Sequence, residues 1–316
     1  MEHTHTLSKV KRYHGVVVPM VTPFTPDGDL DEPAVRGLID HLVSGGVAGI
    51  FVLGTTGEDG SIPLPMRARL VALTVEQVCG RATTYAGISH NCLSSSMEAA
   101  ETYRRQGIDV LVARLPTYYV LTGEEQHAYF ETLVGGIPGP LMLYNITATT
   151  HMPIPVDVVQ ALSHNPKVVG IKDSDNNPSR LNELLERLGG RDDFSVLVGV
   201  SALAAKALSL GADGFVPSQG NLVPGVCQHL YERGAQGDGA AAKAYQGKLD
   251  EVSDLVRAGR SLAQSLGLLK AAMGAISLCG PDVLPPLPTP SNAQQGAVRR
   301  AFLQWLARQP GNSMDS

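Results

Sequence analysis

Two kinds of hydrophobic pattern alternate along the chain. Short β-branched or apolar runs lie at 15–24, 48–53, 83–88, 109–113, 141–144, 168–172, 195–198 and 213–216. They are brief and nearly continuous in apolar character, as expected of strands buried on both faces. Between them, helices are predicted from residue 32 to the Gly45-Gly46 stop, then at 64–79, 95–106, 124–134, 156–163, 179–188 and 202–210, with an eighth starting near Val223. Asp31, ahead of Glu32-Pro33-Ala34, gives the first of these an N-cap with proline in the first turn.

Strand–helix alternation with short connections implies parallel pairing through right-handed crossovers, and eight such units close into a (β/α)8 barrel. An open doubly wound sheet fits less well, because no GxGxxG turn follows the first strand and no acidic residue is placed for a ribose. The stretch from 240 to 309 reads as three further helices around Pro285-Pro286-Leu287-Pro288-Thr289-Pro290. The expected organisation is an N-terminal tail at 1–14, a TIM barrel at 15–238, and C-terminal helices packed on it at 239–316.

Composition narrows the class of function. Of 316 residues, 43% are hydrophobic and 17% charged, which suits a globular chain with a large core. The 25 basic and 30 acidic residues leave a formal net charge of −5 without basic clusters, so neither nucleic acid nor an anionic membrane is an expected partner. No apolar run is long enough to span a bilayer, and the first residues lack the apolar core of a signal peptide, which points to the cytoplasm. Cys79, Cys92, Cys227 and Cys279 are scattered without metal-ligand spacing and read as reduced thiols. His3 and His5 in the polar tail do not make a metal site, and neither a metal nor an organic cofactor is expected.

In such a barrel the C-terminal ends of the strands meet at one mouth. There the sequence puts Thr22, the turn Gly54-Thr55-Thr56-Gly57-Glu58, His90, Pro116-Thr117-Tyr118-Tyr119, Tyr144-Asn145, Lys172, Gly199 and, on the last strand, Val216. Lys172 ends the run Val168-Val169-Gly170-Ile171, whose apolar residues disfavour an ammonium ion and leave an amine able to attack a carbonyl. The alternative role is a strand-end lysine paired with Asp173. The Gly54–Glu58 turn offers backbone N–H groups and two hydroxyls to a small carboxylate, or is a plain strand-to-helix turn. Tyr144 on the preceding strand could reach the same substrate, or stand as a rim aromatic bonded to backbone.

The motifs Gly54-Thr55-Thr56-Gly57-Glu58, Tyr144-Asn145 and Gly170-Ile171-Lys172-Asp173, in this order at strand ends, resemble those of the dihydrodipicolinate synthase/N-acetylneuraminate lyase family. The resemblance runs from Gly15 through the Leu284-Pro-Pro-Leu-Pro segment. It implies a metal-free class I lyase in which Lys172 forms an imine with pyruvate or a related 2-oxo acid. The oxo acid's carboxylate fits the Thr55/Thr56 turn, with Gly54 and Gly57 as substrate-binding positions, and the resemblance further implies that Tyr144 moves protons and that Thr56 links its phenol to a tyrosine from a neighbouring subunit. Tyr118 is the candidate for that tyrosine, with Tyr119 as the alternative, so a homo-oligomer, a dimer or tetramer, is expected.

The chain departs from the family where the rest of the substrate is read. Thr149 stands where dihydrodipicolinate synthases carry an arginine for the carboxylate of their aldehyde, and threonine cannot make that bidentate contact. Gly199-Val200-Ser201 stands where sialic acid lyases carry acidic residues for sugar hydroxyls. A shorter or less hydroxylated substrate is expected, such as a 2-keto-3-deoxy sugar acid or an aryl-substituted oxo acid, with Thr147, Thr149, His151 and Ser201 as specificity residues and Gly199 and Val216 as further substrate-binding positions. The expected function is C–C bond cleavage or condensation between a 2-oxo acid and an aldehyde. The alternatives are 4-hydroxy-tetrahydrodipicolinate synthase, a deoxy sugar acid dehydratase of the same family, and a non-catalytic 2-oxo acid binder.

Overall fold

The computed structural model describes residues 11–309. Eight parallel strands pair in sequence order and close into a barrel through β8 against β1. They are β1 Gly15–Pro19, β2 Gly49–Val52, β3 Thr83–Gly87, β4 Val110–Ala113, β5 Leu141–Asn145, β6 Val168–Asp173, β7 Ser195–Val198 and β8 Gly214–Phe215. The helices are α1 Glu32–Ser44, α2 Leu64–Val78, α3 Leu93–Arg105, α4 Gly123–Gly136, α5 Thr147–Thr150, α6 Val156–Leu162, α7 Pro178–Leu188, α8 Ala204–Ser209 and α9 Pro224–Ala235, followed by α10 Gly239–Arg257, α11 Leu262–Met273 and α12 Asn292–Ala307.

The two-residue period of a strand sorts its side chains into two cores. Val16, Val18, Ile50, Val52 and Ile171 pack with the helices, whereas Val17, Phe51, Tyr85, Val112, Met142, Tyr144 and Leu197 form a second cluster inside the barrel. Lys172 follows Ile171 and therefore faces inward. Helix starts obey the local chemistry: the Asp31 carboxylate accepts from Ala34 N in α1, and Thr122 and Ser261 make reciprocal capping boxes in α4 and α11.

Several boundaries move. β1 stops at Pro19; Met20 and Val21 stay buried but leave the ladder's regular run, Val21 N donating to Asn221 Oδ1 at 3.0 Å. An apolar run alone cannot distinguish a strand from a buried loop. Residues 11–14 are not the end of a loose tail: Lys11 donates to the Gly189 and Phe194 carbonyls and pairs with Asp213 at 2.9 Å, and Tyr13 is buried edge-on against Tyr85. The rest of the expected tail, with His3 and His5, lies outside the described residues. Among the described residues no helix is long and apolar enough to cross a membrane.

The C-terminal helices lock onto the mouth. Lys270 of α11 forms an ion pair with Glu58 of the turn after β2, the side chains being 1% and 0% exposed. Lys270 Nζ also donates to the Asp282 carbonyl and lies 4.3 Å from the Phe24 ring centre, while Glu58 Oε2 accepts from Leu284 N at 3.0 Å. Burial pushes the Glu58 carboxyl up and the Lys270 amine down, each charge opposing the other's shift. Lys270→Met, which strands Glu58 in the interior, is expected to lower the unfolding free energy by about 3–5 kcal/mol, and Glu58→Leu with Lys270→Met to recover most of it. Urea denaturation of the three proteins measures both; equal losses in single and double variants would contradict this role.

Candidate active site

The pairing register of β5 with β6 sets Tyr144 beside Lys172 and Asn145 beside Asp173. The Lys172 amine lies 4.0 Å from the Tyr144 ring centre and 4.9 Å from that of Phe51, and these two rings meet edge-on. Both Lys172 and Tyr144 are 5% exposed. Asp173 does not pair with the lysine. Its Oδ2 accepts from Arg180 Nε at 2.7 Å and from Asn145 Nδ2 at 3.0 Å, and its Oδ1 accepts from Asp175 N at 3.0 Å. Burial raises the Asp173 pKa, an effect that the Arg180 guanidinium opposes. With that carboxylate engaged elsewhere, Lys172 has no ion pair among the described residues, and the strand-end salt bridge is ruled out.

The Tyr144 hydroxyl is hydrogen-bonded to Thr55 Oγ1 at 3.2 Å. The expected link through Thr56 is therefore corrected to Thr55. The cause is the turn's backbone, entered through Leu53 at φ 57° and left through Glu58 at φ 61°, which decides which of two adjacent hydroxyls meets the phenol. The turn is clamped: Thr22 Oγ1 donates to the Gly57 carbonyl at 2.8 Å, and a Cβ on Gly57 would stand 2.9 Å from the Met20 carbonyl oxygen. The Glu58 and Asp59 amides are used inside the turn, on Thr55 O and Gly54 O, whereas those of Thr55 and Thr56 have no acceptor within the described chain. Two free N–H groups and two hydroxyls make a receptor for a carboxylate.

Lys172, Tyr144, Thr55 and Thr56 open into a cavity of about 390 Å³, within the range of small-molecule sites. Gly199, Ser201 and Val216 of the expected residues also line it. Gly54 and Gly57 shape the turn without lining the cavity. Thr147, Thr149 and His151 do not line it either: the short helix α5 carries Ala148 to the cavity and turns Thr149 toward a neighbouring cavity of about 340 Å³, and His151 is an exposed left-handed cap. No strand or helix pattern foretells the α5 turn that places these three residues. Tyr118 and Tyr119, 77% and 72% exposed, stack edge-on outside the cavity of their own chain. His90 lies behind the turn, 3.4 Å from Arg67 Nη1, and burial lowers its pKa.

Sequence reasoning missed the far wall. Ser201 Oγ donates to Gln219 Oε1 at 2.9 Å, Gln219 Nε2 donates to Ser253 Oγ of α10 at 2.8 Å, and Arg257 Nη2 of α10 donates to Ser218 Oγ at 2.9 Å. Arg257 is exposed along its length, yet enough protein surrounds its guanidinium to lower its pKa by desolvation, with Tyr144 acting in the opposite sense. Ser218 and Gln219 directly follow β8 and had a strand-end signal; α10 gave none, because nothing local says where its last turn lands.

The sequence pattern of the Dihydrodipicolinate synthetase family matches residues 12–304. A 4-hydroxy-tetrahydrodipicolinate synthase of Hyphomonas neptunium is 28% identical over 290 residues, 92% of this chain and 97% of that one. The dihydrodipicolinate synthase of Bacteroides thetaiotaomicron superposes with a TM-score of 0.88 at 29% identity, over 93% of this chain and 99% of that one. Escherichia coli YagE, named as a 2-dehydro-3-deoxy-D-gluconate aldolase, is 28% identical over 300 residues, 93% of this chain and 97% of that one. Its structure in complex with pyruvate superposes with a TM-score of 0.87, over 93% of this chain and 99% of that one.

Gly199 limits the cavity's geometry, since a Cβ there would stand 1.9 Å from Ser174 Oγ. Gly199→Ala is expected to cost about 1–3 kcal/mol through overpacking. Ser174→Gly in the same chain should recover most of that loss in a thermal melt.

Proposed function

The chain belongs to the Dihydrodipicolinate synthetase family and is a lyase of the class I aldolase type; on that premise we propose that Lys172 is its imine-forming nucleophile and pyruvate, or a related 2-oxo acid, its common substrate. The observation that carries this reading is the Lys172 amine against the Tyr144 ring on the wall of the cavity, with Asp173 held away by Arg180.

The chemistry follows from these groups. The neutral amine adds to C2 of the oxo acid, and the resulting carbinolamine takes up one proton as it loses water, giving a protonated imine. That cation draws the electron pair of the C3–C4 bond as it breaks, leaving an enamine, while the C4 hydroxyl gives up its proton and departs as an aldehyde. Protonation at C3 and hydrolysis return pyruvate and the free amine; condensation is the reverse. Tyr144, joined to Thr55, is the group placed to take and return these protons. The Thr55 and Thr56 amides hold the oxo acid's carboxylate and so fix C2 against Lys172.

The second tyrosine comes from another copy of the chain. Tyr118, Tyr119 and Val120 form an exposed apolar group on the loop after β4, of the kind that a partner covers. The protein is read as a cytoplasmic homo-oligomer, at least a dimer, acting on a 2-oxo acid and an aldehyde.

Borohydride added with pyruvate should leave a reduced adduct on Lys172 and none in Lys172→Ala; a wild-type protein without an adduct would sink the reading. Thr55→Val should slow proton exchange at the pyruvate methyl group in heavy water by about 10²-fold or more, and Thr56→Val by much less. The opposite order would return the relay to Thr56. Mixing Tyr118→Phe with Lys172→Ala subunits should restore activity that neither has alone, whereas no restoration would place Tyr118 outside its neighbour's site.

A further inference from the structure

The cavity is lined by Lys172, Arg257 and Arg260, and by no aspartate or glutamate. One anionic group of the substrate is accounted for at the Thr55/Thr56 turn. The positive charge at the other end is not.

Arg257 takes part in no ion pair among the described residues, and the one side-chain hydrogen bond it makes within them is the Nη2 contact to Ser218. A guanidinium carries five N–H donors, so most of this fork remains free toward the cavity or water. Arg260 differs, because its Nη1 is spent on the Leu255 and Ala258 carbonyls at 3.3 Å each. An arginine in the last turn of a helix has an ordinary role in complementing the helix dipole. That role does not require it to line a cavity or to be tied to the turn after β8.

Arg257 is so tied. Ser218, its partner, is buried at 7% exposure, and Ser218 Oγ in turn donates to Gln219 Oε1 at 3.4 Å. Gln219 is held at both ends of its amide by Ser201 and Ser253. The guanidinium thus hangs from a fixed row of polar groups on the C-terminal side of the barrel. The start of α11 adds its positive end to the same wall through Leu262, with the Ser261 side chain already occupied in its capping box.

Resting on the imine reading of Lys172, we propose that Arg257 is the receptor for a second carboxylate, at the end of the substrate remote from the imine. The aldehyde partner then carries a carboxylate of its own, as the family resemblance already implies; what is particular to this chain is that α10, and not the α5 segment where Thr149 stands, supplies the arginine. The planar fork of an arginine suits that group because it binds both oxygens in parallel. A neutral polyol would leave Arg257 without a counter-charge.

The test uses imine trapping, so that turnover need not be found first. Wild-type protein is titrated with 2-oxoglutarate and 2-oxoadipate, and with the uncharged-tail acids 2-oxopentanoate and 2-oxohexanoate, each with borohydride, and the Lys172 adduct is quantified by mass. At least one dicarboxylate is expected to reach half-trapping at a concentration about 10- to 100-fold below its uncharged-tail counterpart, the span of a charge-assisted hydrogen bond. Within Arg257→Leu and Arg257→Gln that ratio should fall to near one, and Arg257→Lys should restore part of it. A wild-type ratio near one for both pairs, or a ratio that survives in the leucine and glutamine variants, overturns the proposal and leaves the imine reading standing. Absence of any pyruvate adduct overturns both.

Discussion

The site depends on a buried ion pair that contributes no chemistry of its own. Glu58 belongs to the turn that faces the substrate, and Lys270 to a helix that follows the barrel by some distance in sequence. Neither charge could remain in an apolar interior without the other. Their pairing therefore fixes two things together: the left-handed exit of the Thr55–Thr56 turn, and the seating of α11 against the mouth. Once α11 is seated, the end of α10 is held over the strand ends, and Ser253 and Arg257 close the cavity. The barrel supplies Lys172; the ion pair seats the helices that complete the cavity around it.

A second constraint lies in the sheet. Parallel pairing of β5 and β6 makes Tyr144 and Lys172 neighbours, and the next pair in register places Asn145 against Asp173. The same two strands thus bring the amine to a phenol and remove the nearest carboxylate into a bond with Arg180. Lys172 is thereby left beside the Tyr144 ring without a carboxylate partner among the described residues.

The fold was legible because its information is periodic. Alternating apolar runs and helical stretches identify the eight units, and inward-facing Lys172 and Tyr144 follow from strand parity and order. What was not legible depends on single torsions. Thr55 and Thr56 are chemically the same, and only the φ of Leu53 and Glu58 selects the one that reaches the phenol. Thr149 was expected beside the substrate and lies on the neighbouring cavity, and residues 11–14 were expected to be tail although Tyr13 is buried in the inner cluster against Tyr85. Arg257 was hidden for a different reason: a residue at the end of a long helix can only be assigned to a site when the helix's docking is known.

The cavity has walls of two origins. Its floor and near side, with Lys172, Tyr144 and the Thr55–Thr56 turn, are strand ends of the barrel; its far side joins Ser201, Ser218 and Gln219 of the barrel to residues of α10 and α11. The covalent chemistry proposed for Lys172 therefore lies wholly on the barrel, whereas part of the cavity wall does not. Such a division lets a lineage exchange the helical lid, or redraw its inward face, and inherit the same bond-making apparatus for a new compound. The part of this enzyme most open to evolutionary retuning is then the segment that carries none of its covalent chemistry.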